Sequence, residues 1–474
     1  MEDRRTKAGT NNSLPNPNVW LTREAKRLGV PKKELLVLSA NNDPYNCGTP
    51  AHLAAAEWFA GVYGGVGYRG VHLRRLHYRA YDAGVVNQEG ERYPNTEEQW
   101  TALQNASRYA RYLGFVDPED FVDNRAPSPY LSVYDVPYIP HPTYELSPRS
   151  GLLDWYLPHI STSLTGSAEP RIEHTVAGYF YDHSLQPNLI EIWSEKSGDN
   201  ATLLPIAERF GINYCPGIGF QSVSNIRRMF RRVRTVGKPT CILYISDFDP
   251  AGSSMPVAVG RQTQFAFWQL EHLALQEAPN VKLEPIALTQ EQVIEWELPR
   301  KPIKEADRRK GVWEERFGGG AVEVDALAAR YPGRLEQLVS ERVESLQDPT
   351  LRRRMHEAAQ EAERRVSSAL EEVRGRHRRD AEQTVSEFNE VAERYRERLE
   401  AVSEQFEADV EHLRERFRKQ REAFEEEVSS LVIELPEPPE AESPEDPLED
   451  GWMYDSARDF TWQTEEFRRA QKRD

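Results

Sequence analysis

Carboxylate side chains follow two apolar runs near the middle of the chain. Residues 189–194 form the first run, which ends at Glu195. Residues 241–246 form the second, which is followed by Asp247 and Asp249. Both runs are short, apolar on both faces and bounded by turn residues, which predicts buried strands of a parallel sheet. Because chemistry in open α/β sheets gathers outside the carboxyl ends of the strands, the three carboxylates predict a site for Mg²⁺, or Mn²⁺ in its place.

A second acidic pair lies further along the chain. Glu323 and Asp325 alternate with two valines after three glycines, residues 318–320. No Lys-Ser or Lys-Thr follows those glycines, so the run is not a phosphate-binding P-loop. The pair is interpreted either as a further part of the metal site or as a strand edge or helix cap.

The elements around the carboxylates alternate between strand and helix. From residue 189 to about residue 290 the pattern predicts strand, helix, short strand, basic helix, strand, helix and strand. Such alternation is typical of the βαβ units of a parallel, Rossmann-like sheet. The sequence therefore predicts an α/β domain over residues 189–345 that positions the carboxylates.

Two predicted helices carry clusters of arginine. The first, at residues 71–79, follows a helix and a Gly-containing turn, as in a helix-turn-helix. With a predicted wing at residues 84–93, it favours a mainly α, winged-helix domain over residues 31–125. The second helix, at residues 222–236, lies between the two predicted strands. The side chains predicted to contact DNA phosphates are Arg69, Arg74, Arg75, Arg79, Lys196, Arg227, Arg228 and Arg231. For the first cluster the alternative is a solvated face of an ordinary helix.

Composition limits the class of protein. The chain has 474 residues and a net charge of −17, but its basic residues cluster and much of the acidic excess follows residue 355. The charge distribution therefore permits a nucleic-acid partner, although the net charge alone argues against one. Three widely spaced cysteines indicate neither a disulfide framework nor a zinc site. No apolar run approaches the roughly 20 residues of a membrane span and no signal peptide is found, so no membrane partner and a cytoplasmic location are expected. A DNA partner would make that location nucleoid-associated.

The remaining segments differ in composition from these two domains. Residues 1–30 predict a flexible basic arm, and residues 126–188 predict a linker that wraps on a neighbouring domain. Residues 433–474 predict a disordered, acidic, Pro-rich tail with a short aromatic segment, interpreted as a docking peptide or a capping helix. Residues 346–432 predict a long, coiled-coil-like helix, whose apolar stripe needs a partner. That partner is a dimer mate, a back-folded helix or another protein.

The central carboxylates resemble those of a TOPRIM domain. In that domain one strand ends in Glu, often Glu-Lys, and a later strand ends in Asp-x-Asp, often followed by Pro and Gly. Glu195-Lys196 matches the first part, and Asp247-Phe248-Asp249-Pro250-Ala251-Gly252 matches the second. The resemblance implies a TOPRIM fold for residues 189–345.

The N-terminal half extends the resemblance. Over about residues 50–345 the chain is similar to topoisomerase VI A subunits and their meiotic double-strand-break relatives. Their winged-helix domain precedes TOPRIM and carries a catalytic tyrosine in an Arg-x-x-x-Tyr segment, which Arg74 and Tyr78 match. The chain departs from the family at His77, in the middle linker and in the C-terminal third.

The resemblance implies cleavage of double-stranded DNA by a tyrosine and a metal ion. Tyr78 would form a phosphotyrosyl link, and Arg74 would supply the positive charge that a weakly nucleophilic tyrosine needs. Mg²⁺ on Glu195, Asp247 and Asp249 would offset charge on the phosphate and the leaving oxygen, so Glu195 also counts as catalytic. In the relatives the tyrosine and the metal meet across a dimer, which predicts a homodimer. Strand passage would need a separate ATPase subunit, because the sequence shows no ATPase segment.

Two alternatives stay open. In the first, water attacks at the TOPRIM metal site and Tyr78 only packs in the helix-turn-helix, as in TOPRIM nucleases of plasmid- and phage-defence systems. In the second, the chain is a non-catalytic DNA-binding adaptor that recruits partners through the long helix. A neighbouring topoisomerase B-type ATPase would favour tyrosine-dependent cleavage, whereas an SMC-like ATPase would favour hydrolysis.

Overall fold

The chain divides into two compact units. Unit 1 comprises Met1–Pro137, Gln186–Asp348 and Glu442–Asp474, and unit 2 comprises Tyr138–Leu185 and Pro349–Ala441. The computed structural model of the chain describes residues 16–39, 42–122, 127–147, 172–217, 219–272, 279–305, 307, 309–395, 403–443 and 452–472.

The described residues form a mixed α/β structure. Its helices are α1 (Pro17–Leu28), α2 (Pro50–Val66), α3 (Leu73–Asp82), α4 (Glu97–Tyr112), α5 (Asn200–Phe210), α6 (Val223–Val236), α7 (Ser254–His272), α8 (Gln290–Glu295), α9 (Lys310–Phe317), α10 (Val324–Arg330), α11 (Arg334–Glu344), α12 (Leu351–Tyr395), α13 (Ser403–Ser429) and α14 (Phe460–Lys472). Its strands are β1 (Val71–His72), β2 (Phe121–Val122), β3 (Thr143–Ser147), β4 (Glu173–Ala177), β5 (Leu189–Ser194), β6 (Asn213–Pro216), β7 (Thr240–Ile245), β8 (Val281–Ala287) and β9 (Tyr454–Asp455). The predicted α/β class and long C-terminal helix are confirmed.

The main sheet of unit 1 has the strand order β6-β5-β7-β8-β9. Strands β6, β5, β7 and β8 run parallel, and β9 pairs antiparallel with β8 at the edge. Every residue of β5 and β7 is buried. The two apolar runs are therefore the inner strands of a sheet covered on both faces, as the sequence predicted.

Alternate residues of the inner strands face two separate cores, because successive side chains of a strand point to opposite faces. Ile192 and Leu243 pack with α5, α10 and α11 on one face. Trp193 and Tyr244 pack with α6, α7 and α14 on the other. With both faces covered by helices, the loops at the carboxyl ends of the strands are left to carry polar side chains.

Helices α1 to α4 form a third core together with α7. Leu76 of α3 and Leu103 of α4 are buried there beside Phe265 of α7. An antiparallel bridge between Val86 and Arg92 makes a small hairpin where the sequence predicted a wing. The expected helices and hairpin are thus present, and their assignment as a winged-helix domain stays a prediction.

The N-terminal segment is folded from residue 16 onward. The side chain of Asn16 accepts hydrogen bonds from the first backbone amides of α1, and Leu21 of that helix is fully buried. The prediction of a flexible arm over residues 1–30 is therefore wrong for Pro17–Leu28. One apolar face of this helix packs into a core formed by residues distant in the sequence, which local composition does not reveal. Residues 1–15 lie outside the described residues.

The C-terminal aromatic segment also belongs to unit 1. β9 extends the sheet, and Tyr454 and Phe467 are buried in the core against α7. The prediction of a disordered tail over residues 433–474 is wrong for this part, because burial of large aromatic side chains offsets the cost of ordering the chain. The segment caps the sheet, as one of its two interpretations held, and residues 444–451 lie outside the described residues.

Unit 2 contains an antiparallel pair of long helices. His377 in the middle of α12 contacts Glu427 near the end of α13, and Tyr395 at the end of α12 contacts Asp409 near the start of α13. The partner of the apolar stripe is thus a back-folded helix, which was one of the three alternatives. Residues 396–402, between the two helices, lie outside the described residues.

The predicted linker contributes to both units. Tyr130 pairs with Tyr214 of β6 in unit 1. Further on, β3 and β4 form an antiparallel hairpin that packs with α12 in unit 2. Residues 148–171, inside this hairpin, lie outside the described residues.

Candidate active site

The predicted carboxylates meet at the carboxyl ends of β5 and β7. These strands are neighbours in parallel register, with Ser194 opposite Ile245. Glu195 follows β5 directly, and its backbone amide donates to the carbonyl of Ile245 at 2.9 Å. The backbone amide of Asp247 donates in turn to Glu195 Oε2 at 3.1 Å. The Glu195 carboxylate is thereby bonded to the backbone of Asp247, a residue 52 positions away in the sequence.

Asp247 is held by a neighbouring loop and by a lysine. Its Oδ1 accepts a hydrogen bond of 3.0 Å from the backbone amide of Val324. Its Oδ2 lies 2.5 Å from Lys196 Nζ, which is also 3.9 Å from Glu323 Oε1. Phe248 pairs with Val322 through two backbone hydrogen bonds of 2.9 Å, and this pairing brings the second acidic pair beside the site.

Asp249 begins the turn that leads into α7. Its Oδ1 accepts hydrogen bonds from the backbone amides of Ala251 at 2.8 Å and Gly252 at 2.7 Å. A Cβ on Gly252 would lie 2.1 Å from the carbonyl oxygen of Asp247 and 3.1 Å from Glu195 Oε2. Glycine is therefore required at this position, because any side chain would displace the acidic loop.

Burial, followed by nearby negative charge, raises the pKa values of two carboxylates at this edge of the sheet. Burial, and then the nearby charge of Asp247, raise the pKa of Glu195 to about 7. Burial and Asp325 raise the pKa of Asp199 to about 6. Although burial works against it, the contact with Asp247 raises the pKa of Lys196, which stays a cation. The site thus holds more negative charge than its lysine balances.

The donor set fits a hard cation such as Mg²⁺, which prefers carboxylate oxygens and keeps some of its waters. Within the described residues, no three acidic, histidine or cysteine side chains are already grouped closely enough to hold a metal ion. Lys196 Nζ lies beside Asp247 Oδ2, one of the oxygens that a metal ion would need. A metal ion would therefore be bound by Glu195, Asp247 and Asp249 only once that ammonium group has moved away.

The predicted nucleophile lies on the exposed face of α3. Tyr78 is 46% exposed, whereas its neighbour His77 is 1% exposed and bonds to Tyr93 Oη and Asn95 Oδ1 at 2.7 and 2.9 Å. Of these two neighbours, His77 is therefore buried and Tyr78 is not. None of the hydrogen bonds or ion pairs among the described residues joins α3 to Glu195, Asp247 or Asp249.

Arg74 is engaged within the N-terminal helices. Its guanidinium lies 4.5 Å from the ring centroid of Trp100 and 3.6 Å from Glu97 Oε2, both on α4. A cation stacked on tryptophan and paired with a carboxylate is held in place on this face. Its predicted role beside the Tyr78 hydroxyl stays a prediction.

The other arginines predicted near Tyr78 also have local partners. Arg75 donates to Tyr68 Oη at 3.0 Å, and Arg79 donates to the carbonyl of Val66 and stacks on the same tyrosine. Arg69 lies 3.6 Å from Asp120. Their side chains are largely exposed, so these single contacts leave donors available for phosphate oxygens.

The arginines of α6 that are predicted to bind DNA face β2 and the segment before it. Arg231 pairs with Glu119 at 2.9 Å, and Arg228 donates to the carbonyl of Phe121 at 3.0 Å. Burial lowers the pKa of Arg227, although Asp117 and Glu119 act in the opposite direction. These contacts fix α6 to the N-terminal part of unit 1.

Two buried ion pairs were missed by the sequence reasoning. Glu191 of β5 is fully buried and makes two bonds to Arg232 at 2.8 and 2.9 Å, with Asn213 and Trp193 also donating to it. Although burial works against it, these partners lower the pKa of Glu191. The sequence contains an indication of this pair, since an isolated glutamate inside an apolar strand requires a buried partner.

The second pair joins α7 to the N-terminal segment. Arg261 and Asp43 are fully buried and 3.1 Å apart. Arg261 also donates to the carbonyl of Leu35 and stacks over the ring of Tyr45 at 4.3 Å. No local pattern marks this pair, because its members are 218 positions apart.

No protein-family model matches the chain, and no curated protein matches it. Among the helices that the structure describes, none is long and apolar enough to cross a membrane.

Proposed function

We propose that the chain is a Mg²⁺-dependent enzyme that cleaves double-stranded DNA at a TOPRIM-like site, with Tyr78 as the nucleophile. The observation that carries the proposal is the contact between Glu195 and Asp247 at the ends of adjacent parallel strands, with Asp249 two residues on. Glu195 is buried beside like charge, so a cation would be stabilised there. Bound at these carboxylates, Mg²⁺ would offset charge on the phosphate and the leaving oxygen.

The residues around Tyr78 support DNA as the substrate. The side chain is half-exposed, and Arg74 and Arg75 stand one helical turn before it on α3. Arg69 and Arg79 add positive charge beside them. A homodimer would present the tyrosine of one protomer to the carboxylates of its partner, as the resemblance implies. An ATPase subunit of the topoisomerase B or SMC type, and a nucleoid location, are proposed on the same basis.

A second candidate is hydrolysis at the same carboxylates, with water as the nucleophile. The observation in its favour is the engagement of Arg74 with Trp100 and Glu97, which occupies the cation expected to activate a tyrosine. In this case Tyr78 would contact DNA without attacking it.

The experiment compares three variants for cleavage of plasmid DNA in Mg²⁺, with denaturation to trap covalent protein–DNA adducts. Tyr78→Phe removes the proposed nucleophile. Tyr81→Phe is the matched control, because Tyr81 lies three residues further along α3 and is 41% exposed. Asp247→Asn removes one charge from the carboxylates while keeping the side-chain shape.

Tyrosine-dependent cleavage predicts adducts in the native protein and in Tyr81→Phe but none in Tyr78→Phe or Asp247→Asn. Cleavage without adducts that survives Tyr78→Phe and is lost in Asp247→Asn would establish hydrolysis instead. DNA that stays intact with Mg²⁺ and with Mn²⁺, while still bound by the protein, would contradict both and leave the adaptor alternative.

A further inference from the structure

A cavity of about 860 Å³ lies in unit 1 beside the candidate active site. Pro250, Ser253 and Ser254 form part of its wall, so it begins directly after Asp249. Gln221 lies in the wall too, and a Cβ on Gly217 would be 2.7 Å from its Nε2 and 3.1 Å from the carbonyl oxygen of Glu195. The volume is within the roughly 300–1,000 Å³ range of small-molecule sites.

The wall of the cavity is positively charged. Arg108, Arg111, Arg309 and Arg316 line it, and the lining residues that the structure describes include no aspartate or glutamate. Arg309 is neutralised by Asp307. Arg108 bonds to the amide oxygens of two asparagines, and Arg111 donates to the carbonyl of Ser107. Arg108 and Arg111 thus bring positive charge that the neighbouring amide and carbonyl oxygens do not neutralise.

Buried polar atoms in the same wall lack hydrogen-bond partners. Gln221 is 8% exposed, and its Nε2 donates to no acceptor among the described residues, although its Oε1 accepts from Asn225. Arg108 Nε is a second such donor. Burial lowers the pKa of Arg111 to about 10, with a smaller lowering by Arg108, although Tyr112 acts in the opposite direction. Buried donors left unbonded are costly, so the wall suits a ligand that supplies acceptor oxygens and negative charge.

Aromatic side chains complete the lining. Phe220 is 53% exposed, and Phe317 is partly buried. An exposed phenylalanine beside a basic wall offers a flat apolar surface on which a nucleobase can stack. The cavity therefore combines the two features that a nucleotide requires, namely donors for phosphate oxygens and a face for the base.

We propose that this cavity binds one nucleotide, with its phosphate against Arg108, Arg111 and Gln221 and its base against Phe220. This inference rests on the proposed function in one respect: the nucleotide is taken to belong to the DNA strand whose cleaved phosphate lies at Glu195, Asp247 and Asp249. A free nucleotide has the same chemistry and is the other source.

The experiment measures binding of four probes to the full chain in EDTA: dAMP, inorganic phosphate, a labelled 12-nucleotide single strand and a hexaglutamate peptide. Arg111→Gln is expected to weaken dAMP and the strand roughly tenfold, since a charge-assisted bond is lost. Phe220→Ala is expected to weaken both to a similar extent, roughly tenfold, through lost stacking. Arg458→Gln and Phe180→Ala, which are outside the cavity wall, should change neither.

The source of the nucleotide follows from the relative affinities. Tighter binding of the strand than of dAMP, with both affected by the two cavity variants, supports a nucleotide of the DNA strand. Equal binding of the two supports a free nucleotide. Because Phe220 is exposed, Phe220→Ala tests the site even if Arg111→Gln unfolds the protein, which a thermal melt would show.

The inference would be overturned if neither dAMP nor the strand bound, if phosphate bound as tightly as dAMP with no effect of Phe220→Ala, or if hexaglutamate displaced dAMP at equal concentration. Cleavage by the native protein together with unchanged probe binding in both cavity variants would remove the inference and leave the proposed function. If both cavity variants weakened probe binding but the native protein never cleaved DNA, the nucleotide site would stand and the proposed function would be removed.

Discussion

Removal of the Lys196 ammonium should strengthen metal binding at the candidate site. The ammonium lies 2.5 Å from Asp247 Oδ2, so a metal ion that needs this oxygen must first displace it. In Lys196→Met the stem of the side chain is kept and the competing cation is lost. The variant therefore isolates the competition between the lysine and the metal.

The size of the effect follows from the exposure of the pair. The side chain of Lys196 is 35% exposed and that of Asp247 is 5% exposed, so solvent screens the pair in part. The net stabilisation from the ion pair is therefore at the upper end of the range for surface pairs, about 1 kcal/mol. Since 1.4 kcal/mol corresponds to tenfold in affinity, the Kd for the metal should fall by about fivefold.

The assay is titration of the full chain with Mn²⁺, followed by electron paramagnetic resonance of the free ion, in the absence of DNA. Lys301→Met is the matched control, because Lys301 also contacts Glu323 but not Asp247. It removes the same charge from the same neighbourhood. An unchanged or weaker affinity in Lys196→Met, or an equal gain in Lys301→Met, would refute the competition.

Three further predictions concern the same unit. Because the pKa of Glu195 is raised from 4.5 to about 7, the folded chain holds the proton more tightly than the unfolded chain, so without metal the free energy of unfolding should fall by about 3 kcal/mol as pH rises through this window. In urea titrations at pH 5 and pH 8 in EDTA, Glu195→Gln should remove the contribution of Glu195 and leave the fall that is due to Asp199, whose pKa is also raised. A pH dependence identical to that of the native chain would contradict the prediction. Gly252→Ala should cost about 1–3 kcal/mol of stability and weaken Mn²⁺ binding, since the new Cβ would lie 2.1 Å from the Asp247 carbonyl; Gly198→Ala, with open space around it, is the control, and equal behaviour of the two would count against the close approach. Arg261→Ala should lower the free energy of unfolding by about 3–5 kcal/mol, because it leaves Asp43 buried and unpaired; a loss no larger than that of the exposed Arg458→Ala would show that the pair is not decisive.

The local sequence pattern was sufficient to predict the inner strands and most helices. The apolar runs before Glu195 and Asp247 had to be buried on both faces, and the structure places them as adjacent β5 and β7. The start of α4 is also visible in the sequence, because Thr96 caps the helix and apolar residues recur on one of its faces. These features depend on neighbours within one element, which a sequence displays directly.

Local pattern failed where a segment is polar and its apolar residues are few. The face of α1 with Leu21 and the aromatic residues Tyr454 and Phe467 looked too sparse to fold. They are ordered because α7 and β8 supply complementary surfaces far away in the sequence. The same reason explains why the sequence left three alternatives for the partner of the apolar stripe of α12. Only the structure shows that this partner is α13.

The sequence by itself determined the α/β class, the positions of Glu195, Asp247 and Asp249 at strand ends, and the arginine-rich face around Tyr78. Tertiary structure alone decided which oxygens of those carboxylates are already bonded, that Lys196 stands beside Asp247, and that Glu191 pairs with Arg232. The physical reason is that burial and pairing raise or lower the energy of a charge by amounts that depend on atoms distant in the chain. The sequence shows which residues are charged, whereas the fold decides which of them are buried and which are paired.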